Sequence, residues 1–260
     1  MYKIPDKTVF IGKKIISLPI CESTNSLMIS MAQSQRMEEG TVIITENQTS
    51  GRGQSGNQWV VDAGANLTFS VFLKPSFIEP SQQFWLSMAV GLAICDSISE
   101  VLNGQSPENV GWSVKQKWPN DILINAKKVC GILIENQIQG NQLAQSVVGI
   151  GINVNQKYFE WNTASSLSLF LGYDLNNAEV FESVLVKLEA RYEQLRRGDF
   201  QKLKDDYYAV LFWKGEEHQF QDGKKIFTGI VEGIDEAGRL LVKLSSGIER
   251  FNFKEIKFLL

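Results

Sequence analysis

The segment from residue 84 to residue 102 limits the fold more than any other part of the sequence. Apolar residues recur there too densely for a helix with one exposed face, and the small residues Ala89, Gly91 and Ala93 allow neighbouring elements to approach closely. A helix of this composition needs cover on several sides. The sequence therefore predicts a central buried helix, which the rest of the chain must enclose.

Short apolar segments on both sides of this helix predict a sheet. Residues 41–45 form a β-branched run of strand length, and apolar residues alternate with their neighbours across 67–73. Four more strand-like segments, separated by turn residues, span 112–118, 122–124, 129–138 and 146–155. The strands and helices do not alternate regularly, so we predict an α+β fold with a mixed β-sheet.

Three further helices are expected around this sheet. Ser23 and Thr24 can cap a helix that runs to about Arg36, because their hydroxyls satisfy free amides at a helix start. Apolar residues between 181 and 195 recur at helical spacing, and a shorter helix is predicted after Asp199.

The sequence pattern changes after residue 212. Short strand-like segments follow, separated by turns at 221–224, 235–238 and 245–247. The remaining residues are enough for a small β-barrel. We therefore predict two domains, one of residues 1–212 and a small C-terminal domain of residues 213–260.

Composition excludes several classes of protein. The chain has 260 residues, 26 of them basic and 29 acidic, so its net charge of -3 does not favour binding to nucleic acid or to an anionic membrane. No stretch approaches the roughly 20 apolar residues of a membrane span. The three cysteines are too few for a disulfide framework and lack zinc-site spacing, which favours a reducing, cytoplasmic location.

A glycine-rich loop at residues 48–59 is the first candidate binding element. Gly51 and Gly53 let backbone amides approach an anionic group, and Arg52 between them offers a permanent fork of donors. Gln48, Gln54 and Trp59 belong to the same loop. The loop alone is a weak signal, since glycine-rich surface hairpins are common.

Polar clusters at the ends of predicted strands strengthen the case for one shared site. These clusters are Lys117-Trp118-Pro119-Asn120-Asp121, Lys128 with Gly131, and Asn153 within an apolar strand. Lys128 could place a charge in a partly dry pocket, or it could be a solvated lysine in a turn. Likewise, Asn120 and Asp121 could form a simple turn, and Ser23-Thr24-Asn25 could only cap a helix.

The missing residue types narrow the chemistry. His218 is the only histidine and lies in the predicted barrel, which argues against a histidine triad or a histidine-rich metal site. The sequence has no Gly-x-x-x-x-Gly-Lys-[Ser/Thr] phosphate loop either. Lysine, arginine, amides and backbone donors favour electrostatic catalysis of acyl or phosphoryl transfer.

Taken in order, these motifs resemble the biotin protein ligase family over nearly the whole chain. The matching segments are Ser23-Thr24-Asn25, Gly51-Arg52-Gly53 with Gly56 and Trp59, Lys117 to Asp121, Lys128 with Gly131 to Glu135, and Gly151-Ile152-Asn153. The resemblance implies a catalytic domain of the biotin/lipoate ligase type followed by an SH3-like barrel. It also implies two steps: biotin and ATP give biotinyl-5'-AMP, and a lysine of a biotin carrier domain then takes the biotinyl group.

The resemblance also assigns roles to residues. Lys128 and Arg52 are the implied catalytic residues, with Lys128 bridging the biotin carboxylate and the α-phosphate. The implied biotin-binding residues are Ser23, Thr24, Asn25, Gln48, Gly51, Arg52, Gly53, Gln54, Trp59, Lys128 and Gly131. The implied nucleotide-binding residues are Arg52, Gln54, Lys117, Asn120, Asp121, Lys128 and Asn153. Mg²⁺ would accompany ATP with help from Asp121, but the sequence shows no set of metal ligands.

Two departures from the family pattern affect what is expected. Gln54 and Asn57 stand where many relatives carry arginine, so retention of the adenylate is predicted to be weaker. The chain also begins at the catalytic domain, without the DNA-binding segment of some relatives, and DNA binding is not expected.

Two alternatives and one question remain open. A lipoate ligase or octanoyltransferase shares this catalytic fold, and a non-enzymatic module could hold the adenylate without transferring it. The sequence also leaves open whether two chains pair as a homodimer.

Overall fold

The structure, a computed structural model, describes residues 2–105 and 111–259. The elements before residue 212 are β1 (Ile15–Cys21), α1 (Thr24–Ser34), β2 (Val42–Gln48), β3 (Leu67–Leu73), α2 (Phe84–Gln105), β4 (Val114–Lys117), β5 (Asp121–Ile124), β6 (Lys127–Gln139), β7 (Gln142–Ile152), α3 (Leu167–Leu171), α4 (Asn177–Arg196) and α5 (Phe200–Val210). They confirm the predicted α+β class.

These strands form one mixed sheet in the order β1-β2-β3-β7-β6-β5-β4. Only β1 and β2 among the paired strands of this sheet run parallel, within the part of the chain that the structure describes. The long hairpin of β6 and β7 occupies the middle of the sheet. Gly131 of β6 pairs with Gly151 of β7 and with Asp121 of β5, and Asp121 pairs in turn with Lys117 of β4, so these residues form one row across the sheet.

Helix α2 is the buried central helix that the sequence predicts. Leu86, Ile94 and Ile98 are fully buried in the main core. Gly91 permits close approach, because a Cβ atom there would lie 2.0 Å from the Gln116 amide oxygen. By length and composition alone, Pro80–Gly104 could cross a membrane, so the expectation that no segment is that apolar is wrong; 67% of its most apolar window is nevertheless buried inside the protein.

Strand β3 is buried on both faces, which its alternating sequence does not reveal. Phe69 and Val71 belong to the main core with α2 and α4, whereas Phe72 packs with Met28 of α1 in a second, smaller core. Ser70 also lies on the α1 side and is fully buried. Both faces are therefore covered, and α1 encloses one end of the candidate site.

The chain after residue 212 forms a second sheet. Its strands are β8 (Glu217–Asp222), β9 (Lys225–Ile234), β10 (Leu240–Leu244), β11 (Gly247–Phe251) and β12 (Lys257–Phe258). They pair antiparallel in the order β11-β10-β9-β8-β12. His218 lies in this sheet and stacks on Trp213 with ring centroids 3.8 Å apart.

Candidate active site

A cavity of about 600 Å³ lies against strands β3, β7 and β6 in the middle of the main sheet and extends to the second sheet. It brings together most of the residues that the sequence analysis singled out. Its lining includes Ser23, Thr24, Asn25, Gln48, Arg52, Gly53, Gln54, Trp59, Lys117, Asn120, Asp121, Lys128 and Gly131.

One end of the cavity is built from hydroxyl and amide groups. Thr24 donates its backbone N–H to Gln48 Oε1 at 2.8 Å. The Ser70 hydroxyl lies 2.7 Å from Thr24 Oγ1 and 2.6 Å from Asn25 Oδ1. Because Thr24, Asn25 and Ser70 are buried, these bonds fix the side chains and leave a neutral polar surface suited to a ligand with both donors and acceptors.

A glycine makes room for this polar end. Gly149 in β7 lies beside Asn25, and a Cβ atom at residue 149 would lie 2.3 Å from Asn25 Oδ1. The Asn25 amide donates to Leu133 O at 3.2 Å and to Glu135 Oε2 at 2.8 Å. The position of Asn25 thus depends on the absence of a side chain at residue 149.

Trp59 forms an aromatic wall of the cavity, and its ring packs against two further glycines. A Cβ atom at Gly151 would lie 2.3 Å from the indole ring, and one at Gly131 would lie 3.0 Å from it. The Trp59 Nε1–H group is buried without a hydrogen-bond partner among the described residues. A ligand with an acceptor atom at this wall would satisfy that donor.

Lys128 reaches the cavity because of a bulge in β6. Leu123 pairs with Lys128 and Ile122 pairs with Cys130, so Val129 is an extra residue between the two pairs. In a regular strand Lys128 would share a face with buried Cys130, but the extra residue turns it to the face of Gly131. Lys128 Nζ then lies 2.7 Å from Asp121 Oδ1 and 5.5 Å from the centroid of the Trp59 ring.

Arg52 supplies a second cation from the glycine-rich loop. The loop folds back on itself, with Arg52 bridged to Gln58 and the Gly53 N–H donating to Asn57 O at 2.7 Å. One guanidinium nitrogen of Arg52 lies 2.5 Å from Glu135 Oε2 in β6. The side chain of Arg52 also lines the cavity, so it connects the sheet to the ligand space.

Lys117 supplies a third cation in a less polar setting. Its ammonium lies 5.1 Å from the centroid of the Phe258 ring, across the boundary between the two sheets. Burial is the main reason that the pKa of Lys117 is lowered, and the nearby charge of Lys128 lowers it further, while Asp121 opposes both. An anion bound in the cavity would favour the protonated form of Lys117.

Comparison with known proteins finds two regions of the chain that match known families. Residues 18–153 match the biotin/lipoate A/B protein ligase family, and residues 215–259 match the biotin protein ligase C-terminal domain. The chain is 34% identical over 222 residues to the biotin--[acetyl-CoA-carboxylase] ligase of Mycobacterium tuberculosis, covering 84% of this chain and 79% of the relative. The chain belongs to the biotin protein ligase family.

Two further members of the family are similar to this chain, one compared by sequence and one by structure. The bifunctional ligase/repressor BirA of Bacillus subtilis is 30% identical over 257 residues, which cover 96% of this chain and 76% of the relative. The Aquifex aeolicus biotin protein ligase, solved in complex with biotin and ATP, superposes with a TM-score of 0.76 at 27% identity, covering 95% of this chain and 99% of that one.

Two of the residues to which the family resemblance assigns a binding role lie outside the main cavity. Gly51 lines a neighbouring hollow beneath the loop, where a Cβ atom would lie 2.2 Å from Trp59 O. Asn153 is buried, and its amide donates to Ser165 O at 3.0 Å. The roles implied for both residues remain predictions.

The sequence analysis missed several residues that shape this site. Ser70, Glu135 and Gly149 contact the ligand-facing residues from β3, β6 and β7. The segment after β11, together with β12, adds one wall of the cavity, formed by Phe253, Lys254, Ile256, Lys257 and Phe258. Glu135 was within a recognised motif, but nothing in the sequence pairs the chain end with the central sheet.

Proposed function

We propose that this protein is an ATP-dependent ligase that activates biotin as biotinyl-5'-AMP and transfers the biotinyl group to a lysine of a biotin carrier domain. One observation carries the proposal. A single cavity joins a neutral hydroxyl and amide end at Thr24, Asn25 and Gln48 to a cationic end at Arg52, Lys117 and Lys128. Biotin has a neutral polar ring at one end and a carboxylate at the other, which matches this division.

In the first step, a biotin carboxylate oxygen attacks the α-phosphorus of ATP. The bond from that phosphorus to the bridging oxygen breaks, and pyrophosphate leaves. Lys128 opposes the repulsion between the two anions, and Asp121 holds its ammonium in place at 2.7 Å. Trp59 supplies the apolar wall that excludes water from the mixed anhydride.

In the second step, the neutral amine of the carrier lysine attacks the carbonyl carbon of the anhydride. The bond from that carbon to the phosphate oxygen breaks, AMP leaves, and the new amide nitrogen loses a proton to solvent. The cations at Arg52 and Lys128 stabilise the departing phosphate. These roles are supported by the position of both side chains in the cavity lining.

The site can accommodate Mg²⁺ that is bound to the phosphates of ATP. Within residues 2–105 and 111–259, no cluster of three or more His, Cys, Asp or Glu side chains could hold a metal by itself. Magnesium bound to substrate phosphates needs only one or two protein carboxylates, because water fills its other positions. Asp121 is a carboxylate in the cavity lining, and it would hold an ion that neutralises phosphate charge.

The domain division and the location are part of the same proposal. We assign residues 1–212 to the catalytic domain and residues 213–260 to the C-terminal domain, supported by the second sheet that begins at Glu217. The free thiols of Cys21, Cys95 and Cys130 support a cytoplasmic location.

The decisive experiment measures product directly. The protein is incubated with ATP, Mg²⁺, biotin and a biotin carrier domain, and the carrier is weighed by mass spectrometry. We expect the mass increase of one biotinyl amide, together with release of pyrophosphate. Modification by lipoate in place of biotin would identify the alternative ligase, and adenylate formation without transfer would identify a binding module.

The pH dependence of ATP binding tests the role of Lys117. The pKa of Lys117 is lowered in the free protein, and bound phosphate raises it, so in the interval between the two pKa values ATP binding takes up a proton. We expect ATP affinity to fall by up to about tenfold per pH unit in that interval, which begins below the ordinary lysine pKa. Calorimetry from neutral to alkaline pH measures this fall.

The matched variant for this measurement is Lys117→Arg. Arginine stays protonated throughout the range, so the variant should lose the pH dependence while it keeps the charge. If wild type and Lys117→Arg show the same pH profile, Lys117 does not hold the phosphate charge.

The variant Gln54→Arg tests adenylate retention. Gln54 Oε1 is buried without a hydrogen-bond partner among the described residues, and the side chain lines both the main cavity and an adjoining one of about 400 Å³. Charge-assisted hydrogen bonds are roughly twice as strong as neutral ones, so arginine should slow the release of biotinyl-5'-AMP several-fold. Dissociation of labelled adenylate measures the effect, and equal rates would mean that other cations already supply the charge.

A further inference from the structure

Glu135 has no role in the reaction described above, yet it contacts both ends of the site. Its Oε2 atom accepts a hydrogen bond from Asn25 Nδ2 at 2.8 Å and lies 2.5 Å from a guanidinium nitrogen of Arg52. Asn25 belongs to the neutral polar end and Arg52 to the cationic end. One carboxylate oxygen of β6 thus links helix α1 to the glycine-rich loop.

The carboxylate is held in place independently of Arg52. Asn25 is 3% exposed, and its own position is fixed by Ser70 and by the carbonyl of Leu133. The backbone of Glu135 is fixed as well, because residue 135 pairs with Val147 in the middle of the sheet. Glu135 is therefore a rigid anchor, whereas Arg52 is attached to a loop.

The guanidinium of Arg52 can serve two partners at once. Arginine has five N–H donors in a fixed plane, and Glu135 engages it through one terminal nitrogen. Glu135 lines the hollow beneath the glycine-rich loop, while Arg52 lines both that hollow and the main cavity. The contact with Glu135 therefore leaves other donors of Arg52 available on the cavity side.

We propose that Glu135 is a positioning residue that orients Arg52 toward the phosphate of the nucleotide and of the adenylate, an inference that rests on the proposed ligase function. Arg52 is the only charged residue between Gln48 and Trp59, since residues 54 and 57 are amides. Phosphate binding by the loop therefore depends on one side chain. Fixing that side chain before the ligand arrives lowers the entropy lost on binding.

Removal of the Glu135 carboxylate could instead raise the ATP affinity, so the sign of the change distinguishes two roles for this residue. A carboxylate beside Arg52 neutralises part of its charge, so its removal could strengthen phosphate binding. Positioning and neutralisation thus predict opposite changes in ATP affinity when the Glu135 charge is removed. The rigid hold on Glu135 favours positioning, because an anchored partner restricts the arginine most.

The test uses Glu135→Gln, which keeps an acceptor for Asn25 and removes the charge. We expect kcat/KM for ATP to fall about tenfold and adenylate to dissociate about tenfold faster, with the biotin KM changed less than twofold. The control is Glu100→Gln, which removes an exposed carboxylate of α2 that lies 2.9 Å from Lys187 of α4, outside the cavity lining. This variant should behave as wild type.

A double-mutant cycle shows whether Glu135 acts through Arg52. In an Arg52→Ala background, Glu135→Gln should change kcat/KM for ATP less than twofold, because the side chain that it positions is gone. The same tenfold loss in that background would overturn the inference, since Glu135 would then act through the fold or through Asn25. Unchanged or higher ATP affinity in Glu135→Gln alone would also overturn it.

The outcome for wild type separates this inference from the proposed function. If wild type forms no biotinyl-5'-AMP and labels no carrier, the ligase function itself fails. If wild type is active and Glu135→Gln matches it in every constant, only the positioning role of Glu135 fails.

Discussion

Lys128→Ala is expected to fold normally and to form biotinyl-5'-AMP at least 10²-fold more slowly than wild type. Removing one charge aimed at the reacting anions costs roughly 3 kcal/mol in the transition state. Lys128 is only part-buried, with 33% of its side chain exposed, so its loss leaves no large void in the core. Pyrophosphate release measures the rate, and near-normal release would remove Lys128 from the mechanism.

The adjacent lysine provides a matched control for this experiment. Lys127 is exposed and directed toward Asn162, outside the cavity lining. Lys127→Ala changes the net charge by the same amount at the neighbouring position, and it should retain wild-type activity. A second variant, Lys128→Ala with Asp121→Asn, removes the carboxylate that would otherwise lose its partner. If this second variant recovered wild-type rates, the loss in Lys128→Ala would come from the unpaired Asp121.

Gly149→Ala is expected to reduce kcat/KM for biotin by about 10- to 100-fold. The new Cβ atom would lie 2.3 Å from Asn25 Oδ1, so Asn25 must move. Its movement breaks the contacts with Ser70 and Glu135, and disrupting buried polar bonds of this kind costs roughly 1 to 3 kcal/mol. Steady-state kinetics with varied biotin, alongside thermal unfolding, measures both consequences.

A variant at a second glycine controls for the general effect of replacing glycine by alanine. A Cβ atom at Gly104 in α2 would meet no packing neighbour within 4 Å among the described residues, so Gly104→Ala should keep wild-type kinetics. Combining Gly149→Ala with Asn25→Ala removes the clashing group. That double variant should regain stability without regaining biotin affinity, and unchanged biotin kinetics in Gly149→Ala would show that Asn25 is not positioned as described.

The sequence predicts the elements of this fold well, because their signals are local. The apolar density of 84–102 predicts α2, and capping by Ser23 predicts the start of α1, where the Ser26 N–H indeed bonds to Ser23 Oγ. Strand β3 shows the limit of this approach. Its alternation distinguishes two faces, but whether a face meets solvent, α1 or the core depends on which distant element packs there.

The site is less predictable for the same reason. A bulge at Val129 decides which face Lys128 occupies, and it exists only in the register between β5 and β6. Ser70 and Glu135 are ordinary strand residues until Asn25 packs between them. The family resemblance identifies residues by motif, whereas these supporting contacts depend on the packing of helix α1 against strands that lie more than 40 residues away in the sequence.

The C-terminal wall of the cavity links ligand binding to the cohesion of the whole chain. Trp118 donates its indole N–H to Gly238 O at 2.9 Å, and Phe258 faces Lys117, so the two sheets meet at the rim of the site. A ligand that fills the cavity would contact residues of both sheets, because both contribute to its lining. At a concentration of 100 times Kd, its binding adds about 2.7 kcal/mol to the stability of the native state, and both sheets share that gain. Saturation with substrate is therefore expected to raise the unfolding temperature of both parts of the chain, which thermal unfolding with and without biotin and ATP measures.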